Sequence, residues 1–134
     1  MSDYPKLSSA ENDDLKIIAA SFNIQEFWLA LTDEATEGTW LDFDGNPFGV
    51  GVGAGYVQEP GRYQNWNTNT GEPFAGELNE DYVIMHLQSF WDGTWNDHYA
   101  THTAPLICQQ APCPTGFGGD NCASKLFLYL FRTL

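Results

Sequence analysis

The stretch GEPFAGELNEDYVIM, residues 71–85, sets Glu72 before a proline and places Glu80 and Asp81 just ahead of an apolar run. The second half reads as a strand, because β-branched and bulky apolar residues follow one another without a helical stripe. The first half reads as a loop that supplies hard oxygen donors. A Ca²⁺ ion takes six to eight such oxygens at roughly 2.3–2.6 Å. Phe74 stands inside the group, where a polar side chain would have completed it.

Working outward from this junction, the other elements fall into a helix followed by strands. Ser8 and Glu11 fit a capping box, and Leu15, Ile18, Ala19 and Phe22 follow at helical spacing, which predicts a helix over residues 8–22. EFWLALTD, residues 26–33, predicts a buried strand, and EATEGTWLDFDGNPF alternates around Trp40 and Phe43 before a DGNP turn. GVGVGAGYVQEPG, residues 49–61, carries five glycines and no stripe, and predicts a surface loop or insertion. Trp66 is the one large anchor of the polar segment 62–81. YVIMHL and TAPLICQ read as closing strands on either side of WDGTWND. The class is α+β, with function carried on loops.

The 134 residues suit one domain, large enough to bury roughly two thirds of its unfolded surface. Eighteen acidic side chains against five basic ones give a net charge of −13, which argues against nucleic acid and anionic membrane as partners. Cys108, Cys113 and Cys122 make an odd set: a free thiol, an intermolecular bridge or a partner outside this chain. MSDYPKLSSAENDD lacks the apolar core of a secretory signal. LFLYLF, residues 126–131, falls far short of the ~20 residues that span a bilayer. His86, His98 and His102 lack the spacing of a zinc site and read as ordinary strand and loop residues. No nucleophile–base or phosphate-loop signature supports an enzyme.

Four segments in order resemble the C-type lectin-like domain: WLAL at 28–31, TDEATEGTW at 32–40, YQNWNTNTGEPF at 63–74, and WND at 95–97 with ICQ at 107–109. The resemblance runs from about residue 7 to 109. It implies two small antiparallel sheets, flanking helices and a long loop that holds Ca²⁺, to which sugar hydroxyls bind. The metal- and carbohydrate-binding residues it implies are Glu72, Glu80, Asn96 and Asp97, with Phe74 at the fifth position. An auxiliary metal position maps onto Asp33, Glu37 and Asp81, together with Glu80. Pro73 is expected in cis. E-P-F matches neither the mannose-type E-P-N nor the galactose-type Q-P-D pattern, so half of the sugar clamp is absent.

The resemblance also marks departures. Tyr82 and Ala100 occupy both halves of a disulfide common in the family, and a large Tyr opposite a small Ala is expected to fill that space. The partner of Cys108 would lie in an N-terminal helix. That helix and the first strand are missing, which leaves an open edge on TAPLICQ and reads as an N-terminal truncation. CPTGFGGDNC, residues 113–122, is similar to the last loop of an EGF-like module, which implies a Cys113–Cys122 pair. The expected division is a lectin-like domain over 1–110, a partial EGF-like segment over 111–123 and a short apolar tail over 124–134.

The implied function is calcium-dependent binding of a glycan or glycoprotein by a secreted or extracellular domain, with no membrane insertion. The alternatives are a calcium-independent protein-recognition module and a truncated fragment without function.

Overall fold

The computed structural model describes residues 7–74, 79–88, 90–109 and 126–129. Among the described residues one α-helix, α1 (Ser9–Ser21), packs against mainly antiparallel strands in a curled sheet, an α+β arrangement. Both bonds of the capping box form: Ser8 Oγ accepts from Glu11 N at 3.2 Å, and Glu11 Oε2 accepts from Ser8 N at 2.7 Å. Two orphan donors of the first turn are thereby satisfied. The buried face of α1 differs from the expected stripe. Ala19 is buried and Leu15 and Ile18 are half-buried, but Phe22 is exposed. The helix ends before Phe22, Asn23 turns in the left-handed region (φ 55°), and Ile24 packs on the core instead. Asn12 is buried and takes the indole N–H of Trp95 at 2.9 Å, which locks the helix to the sheet.

The strands are β1 (Glu26–Thr32), β2 (Thr39–Asp42), β3 (Pro47–Val50), β4 (Val57–Gln58), β5 (Tyr82–His86), β6 (Thr94–His98), β7 (Leu106–Gln109) and β8 (Leu126–Tyr129). Their order is β4-β3-β2-β1-β5-β6, with β7 pairing β1 in parallel and β8 pairing β7 antiparallel. The two expected sheets are thus joined through β1 into one hydrogen-bonded path. The segment 49–61 is more regular than its glycines suggest. Val50 pairs Val57, and a 3-10 turn at Gly53–Gly55 reverses the chain between them. Gly51 sits at φ 98°, where an added Cβ would meet Gly55 O at 2.5 Å, so only glycine fits this turn without strain.

The open edge expected on TAPLICQ is occupied: Ile107 pairs Leu128, and Gln109 pairs Leu126. The tail supplies a strand where the resemblance had left a vacancy. The EGF-like segment and the Cys113–Cys122 pairing lie outside the described residues. Tyr82 packs edge-on against Trp28 at 6.2 Å, whereas Ala100 is exposed. The hydroxyl of Tyr82 hydrogen-bonds to Glu34, which pushes its pKa up to about 12.

The core is aromatic. Trp66 lies 5.0 Å from Trp40, 5.8 Å from Trp95 and 5.7 Å from Tyr56, ring centroid to centroid. Phe27, Val83 and Met85 complete it from β1 and β5. Edge-to-face and tilted pairs of this kind add to the free energy of burial itself. This stack is also what brings the polar loop to β6.

Candidate functional site

The loop that carries Glu72 is fastened to β6 by main-chain bonds. Trp95 N donates to Asn65 O at 2.9 Å, and Asn67 N donates to Trp95 O at 3.0 Å. The carbonyl of Asn67 then takes the N–H groups of Thr70 and Glu72, at 3.1 and 3.2 Å. Beyond it, the Glu72–Pro73 peptide is cis, and Pro73 O accepts from Gly53 N at 2.6 Å. Each fastening uses backbone atoms, so the position of Glu72 is set by the path of the chain.

This path delivers Glu72 to Asp97. Burial alternates along β6, with Trp95 and Asp97 buried and Asn96 half-buried. Asp97 accepts from Phe74 N through both carboxylate oxygens, at 2.9 and 3.0 Å. Burial, and next its hydrogen bond with Glu72, pushes the pKa of Asp97 up to about 8, while the Phe74 N–H opposes the shift. Burial raises Glu72 as well, and nearby Glu80 adds to the effect. Two carboxyls side by side in a dry site cannot both ionise at low cost, so the pair keeps a shared proton. The Oε2 oxygen of Glu72 is buried with no hydrogen-bond partner.

A second acidic group abuts the first. Asp33 is buried; its Oδ2 accepts from Gly38 N at 2.8 Å, and its Oδ1 is buried without a partner. Burial raises its pKa to about 6, and Glu37, Asp81 and Asp97 add to the shift. Asp33 N also donates to Asp81 O at 3.2 Å. The carboxylates of the sequence-derived set are therefore drawn into one region, with Asp97 the member felt by both groups, while Asn96 is half-buried and alternates with Asp97 along β6. Glu72 and Asp97 are in contact, whereas Glu80, Glu37 and Asp81 act on their neighbours through the field. Among the described residues no three carboxylates, imidazoles or thiols gather closely enough to hold a metal ion together. Asp33 Oδ1 and Glu72 Oε2 nonetheless remain buried without a hydrogen-bond partner, an unmet valence of the kind that a cation satisfies.

Phe74, whose backbone N–H is held by Asp97, is 44% exposed. A cavity of about 170 Å³ sits behind Glu72, bounded by Gly53, Ala54, Thr68 and Gly71.

The profile described as Lectin C-type domain matches residues 2–110. The chain belongs to the C-type lectin domain family. Human tetranectin is 33% identical over 88 residues, which are 65% of this chain and 36% of tetranectin. The hepatic lectin of Gallus gallus is 31% identical over 90 residues, 67% of this chain and 35% of that one. The low affinity immunoglobulin epsilon Fc receptor of Mus musculus is 32% identical over 89 residues, 66% of this chain and 21% of the receptor. The chain thus spans about a third or less of the length of these curated relatives. In three dimensions it resembles the EPNH mutant of CEL-I, with a TM-score of 0.54 at 25% identity, covering 73% of this chain and 59% of that one. The C-type lectin domain fold therefore accounts for the architecture.

One cluster escaped sequence reasoning. Glu26, His86, His98 and His102 come from four separate elements and meet on the sheet. His86 Nδ1 lies 3.1 Å from Glu26 Oε2, and His102 Nε2 lies 2.7 Å from Glu26 Oε1. Register could have found the first pair, since Glu26 is directly opposite His86 on β1 and β5. Nothing in the spacing signalled the second.

Proposed function

We propose that this domain recognises carbohydrate, on a glycan or a glycoprotein, through a calcium ion held by Glu72, Glu80, Asn96 and Asp97. Asp33, Glu37 and Asp81, with Glu80, are assigned to an auxiliary calcium position, and the setting is extracellular. The observation that carries this reading is the buried Glu72–Asp97 pair with its partnerless Glu72 oxygen. A buried carboxyl that holds its proton to about pH 8 gives it up to a divalent cation, which restores the missing coordination. When bound, calcium supplies an electrophilic centre that adjacent sugar hydroxyls ligate. The residues of this chain set its depth, its orientation and the carboxylate acceptors beside it. Phe74 provides no amide, so one donor–acceptor pair is lost, a deficit of about 1–3 kcal/mol.

Calcium titration tests the reading. Trp95 lies next to Asn96 and Asp97 in the sequence and beside the loop, so its fluorescence is expected to change and the Tm to rise with calcium by mass action. Absence of both effects at millimolar calcium would exclude it.

A second reading is favoured by the exposure of Phe74. An exposed apolar ring in this loop suits a protein surface better than a polyol. The mouse low affinity immunoglobulin epsilon Fc receptor is, by its name, a relative with a protein ligand. Calcium-independent recognition of a protein is the reading that remains if the cation has no effect.

A further inference from the structure

Glu72 is 8% exposed and hydrogen-bonded to Asp97, yet its Oε2 oxygen has no partner. The basic side chains of the described residues are engaged elsewhere: the Lys16 ammonium lies 2.9 Å from Asp92, and the Arg62 guanidinium 2.9 Å from Asp42. Two carboxyls that share one proton still carry one negative charge, in a chain whose net charge is −13. The counter-charge is left to a ligand.

The cavity of about 170 Å³ beside Glu72 is walled by Gly53, Ala54, Thr68 and Gly71. The two glycines give it room. A Cβ on Gly53 would lie 3.4 Å from Gly71 O and 4.0 Å from Pro73 O, projecting into the gap between the loops, and a Cβ on Gly71 would meet nothing within 4 Å. Glu72 offers a carboxyl, Gly71 a carbonyl toward Gly53, and Thr68 a hydroxyl, and all three accept. Size selects further. A cavity of about 150 Å³ holds benzene, so an unbranched four-carbon ammonium fits here, whereas a whole hexose does not.

We propose that this cavity takes the alkylammonium end of a lysine side chain from a partner protein, with Glu72 as its counter-charge.

A lysine ammonium donates three N–H bonds and accepts none, which matches a set of acceptors. Its methylene stem is apolar and lies along Ala54 and the bare glycine walls while the charged head reaches the carboxyl. The surplus of negative charge draws a basic surface toward the site before contact. This ligand deepens the protein-recognition reading and does not depend on calcium.

An NMR titration of the full chain with n-butylammonium and with Nα-acetyl-lysine amide, in the presence of a chelator, tests the proposal. Saturable shifts of the Gly53, Ala54 and Gly71 amides are expected, with a Kd on the order of 1 mM. n-Butanol has nearly the same shape but no charge, and is expected to bind at least about tenfold more weakly. Ala54→Leu fills the cavity from an exposed position and keeps Glu72, and is expected to abolish the shifts. Glu72→Gln is expected to weaken binding about tenfold or more; should that variant not fold, Ala54→Leu and the butanol comparison decide. Shifts that do not saturate by about 100 mM, butanol that binds as well as the ammonium, or binding that survives in Ala54→Leu overturns the proposal. Glucosamine binding as tightly as the lysine derivative overturns it too, in favour of an amino sugar. Because the chelator removes calcium, failure of the ammonium to bind leaves the calcium reading standing, and failure of calcium to act leaves the ammonium site standing.

Discussion

Asp97 holds the backbone N–H of Phe74 with both of its carboxylate oxygens, at 2.9 and 3.0 Å. The residue that interrupts the ligand pattern is therefore fixed by its main chain, while its side chain is 44% exposed. Backbone and side chain are separable at this position, and the first prediction uses that.

Phe74→Asn is expected to leave the unfolding free energy without calcium within about 0.5 kcal/mol of the parent, since the bond to Asp97 is kept. The new amide adds an oxygen for the cation and an N–H for a sugar hydroxyl. Affinity for calcium, and for a calcium-dependent glycan, is expected to rise about ten- to a hundredfold. Isothermal titration of both variants with calcium measures this; an unchanged constant would mean that position 74 does not face the ion.

The second prediction is a pH dependence. Asp97 has its pKa raised from 3.8 to about 8, and Asp33 from 3.8 to about 6. Raised carboxyls favour the folded state at acid pH, and that contribution fades as the pH climbs through the folded values. Without calcium, these two groups lower stability between about pH 4 and 8. A cation reverses this by replacing the proton, so the calcium-induced rise in Tm is expected to be larger at pH 8 than at pH 5.5. Asp97→Asn keeps an acceptor for Phe74 N and is expected to abolish the calcium response. Thermal unfolding at the two pH values, with calcium or a chelator, reads both effects.

Asn12→Ala tests the attachment of the helix. The change leaves the indole N–H of the buried Trp95 without its acceptor and removes a contact of Asn12 Nδ2 with Gly93 O at 3.4 Å. A loss of about 1–3 kcal/mol is expected in chemical denaturation. Ser8→Ala, which removes the cap alone, is expected to cost about 1 kcal/mol.

Gly51→Ala addresses the turn beside the site. A Cβ there would meet Gly55 O at 2.5 Å on a backbone with φ 98°. A cost of about 1–3 kcal/mol is expected, with a weaker calcium response because Gly53 N anchors Pro73 O. Gly45→Ala has open space around its Cβ but shares the positive φ, so it separates backbone strain from steric clash.

Where local chemistry is strong, the fold was legible. The capping box at Ser8 and Glu11 and the apolar runs of β1 and β5 each carry their signal within a few residues. The strands β3 and β4 stayed hidden because glycine has no side chain to alternate, and their pairing rests on Val50 and Val57. Phe22 fell off the helix because a left-handed Asn23 ends it early, a decision made by one residue outside the stripe. For the candidate site, the order of motifs set Glu72 and Asp97 in one group, and the structure brings these two carboxyls into contact. The Glu26 cluster could not be read, because its members approach only after three strands and a turn have been arranged.

The central strand has a kinetic consequence. β1 pairs with β2, β5 and β7, and the step from Thr32 to its partner Tyr82 encloses β2, β3, β4 and the whole Glu72 loop. Closing so long a loop must be compensated before any distant contact forms, which slows barrier crossing. The meeting of Glu72 with Asp97, which requires that closure, is thus expected to be among the later events of folding, after the hairpins within β2–β4 and β5–β6 have formed.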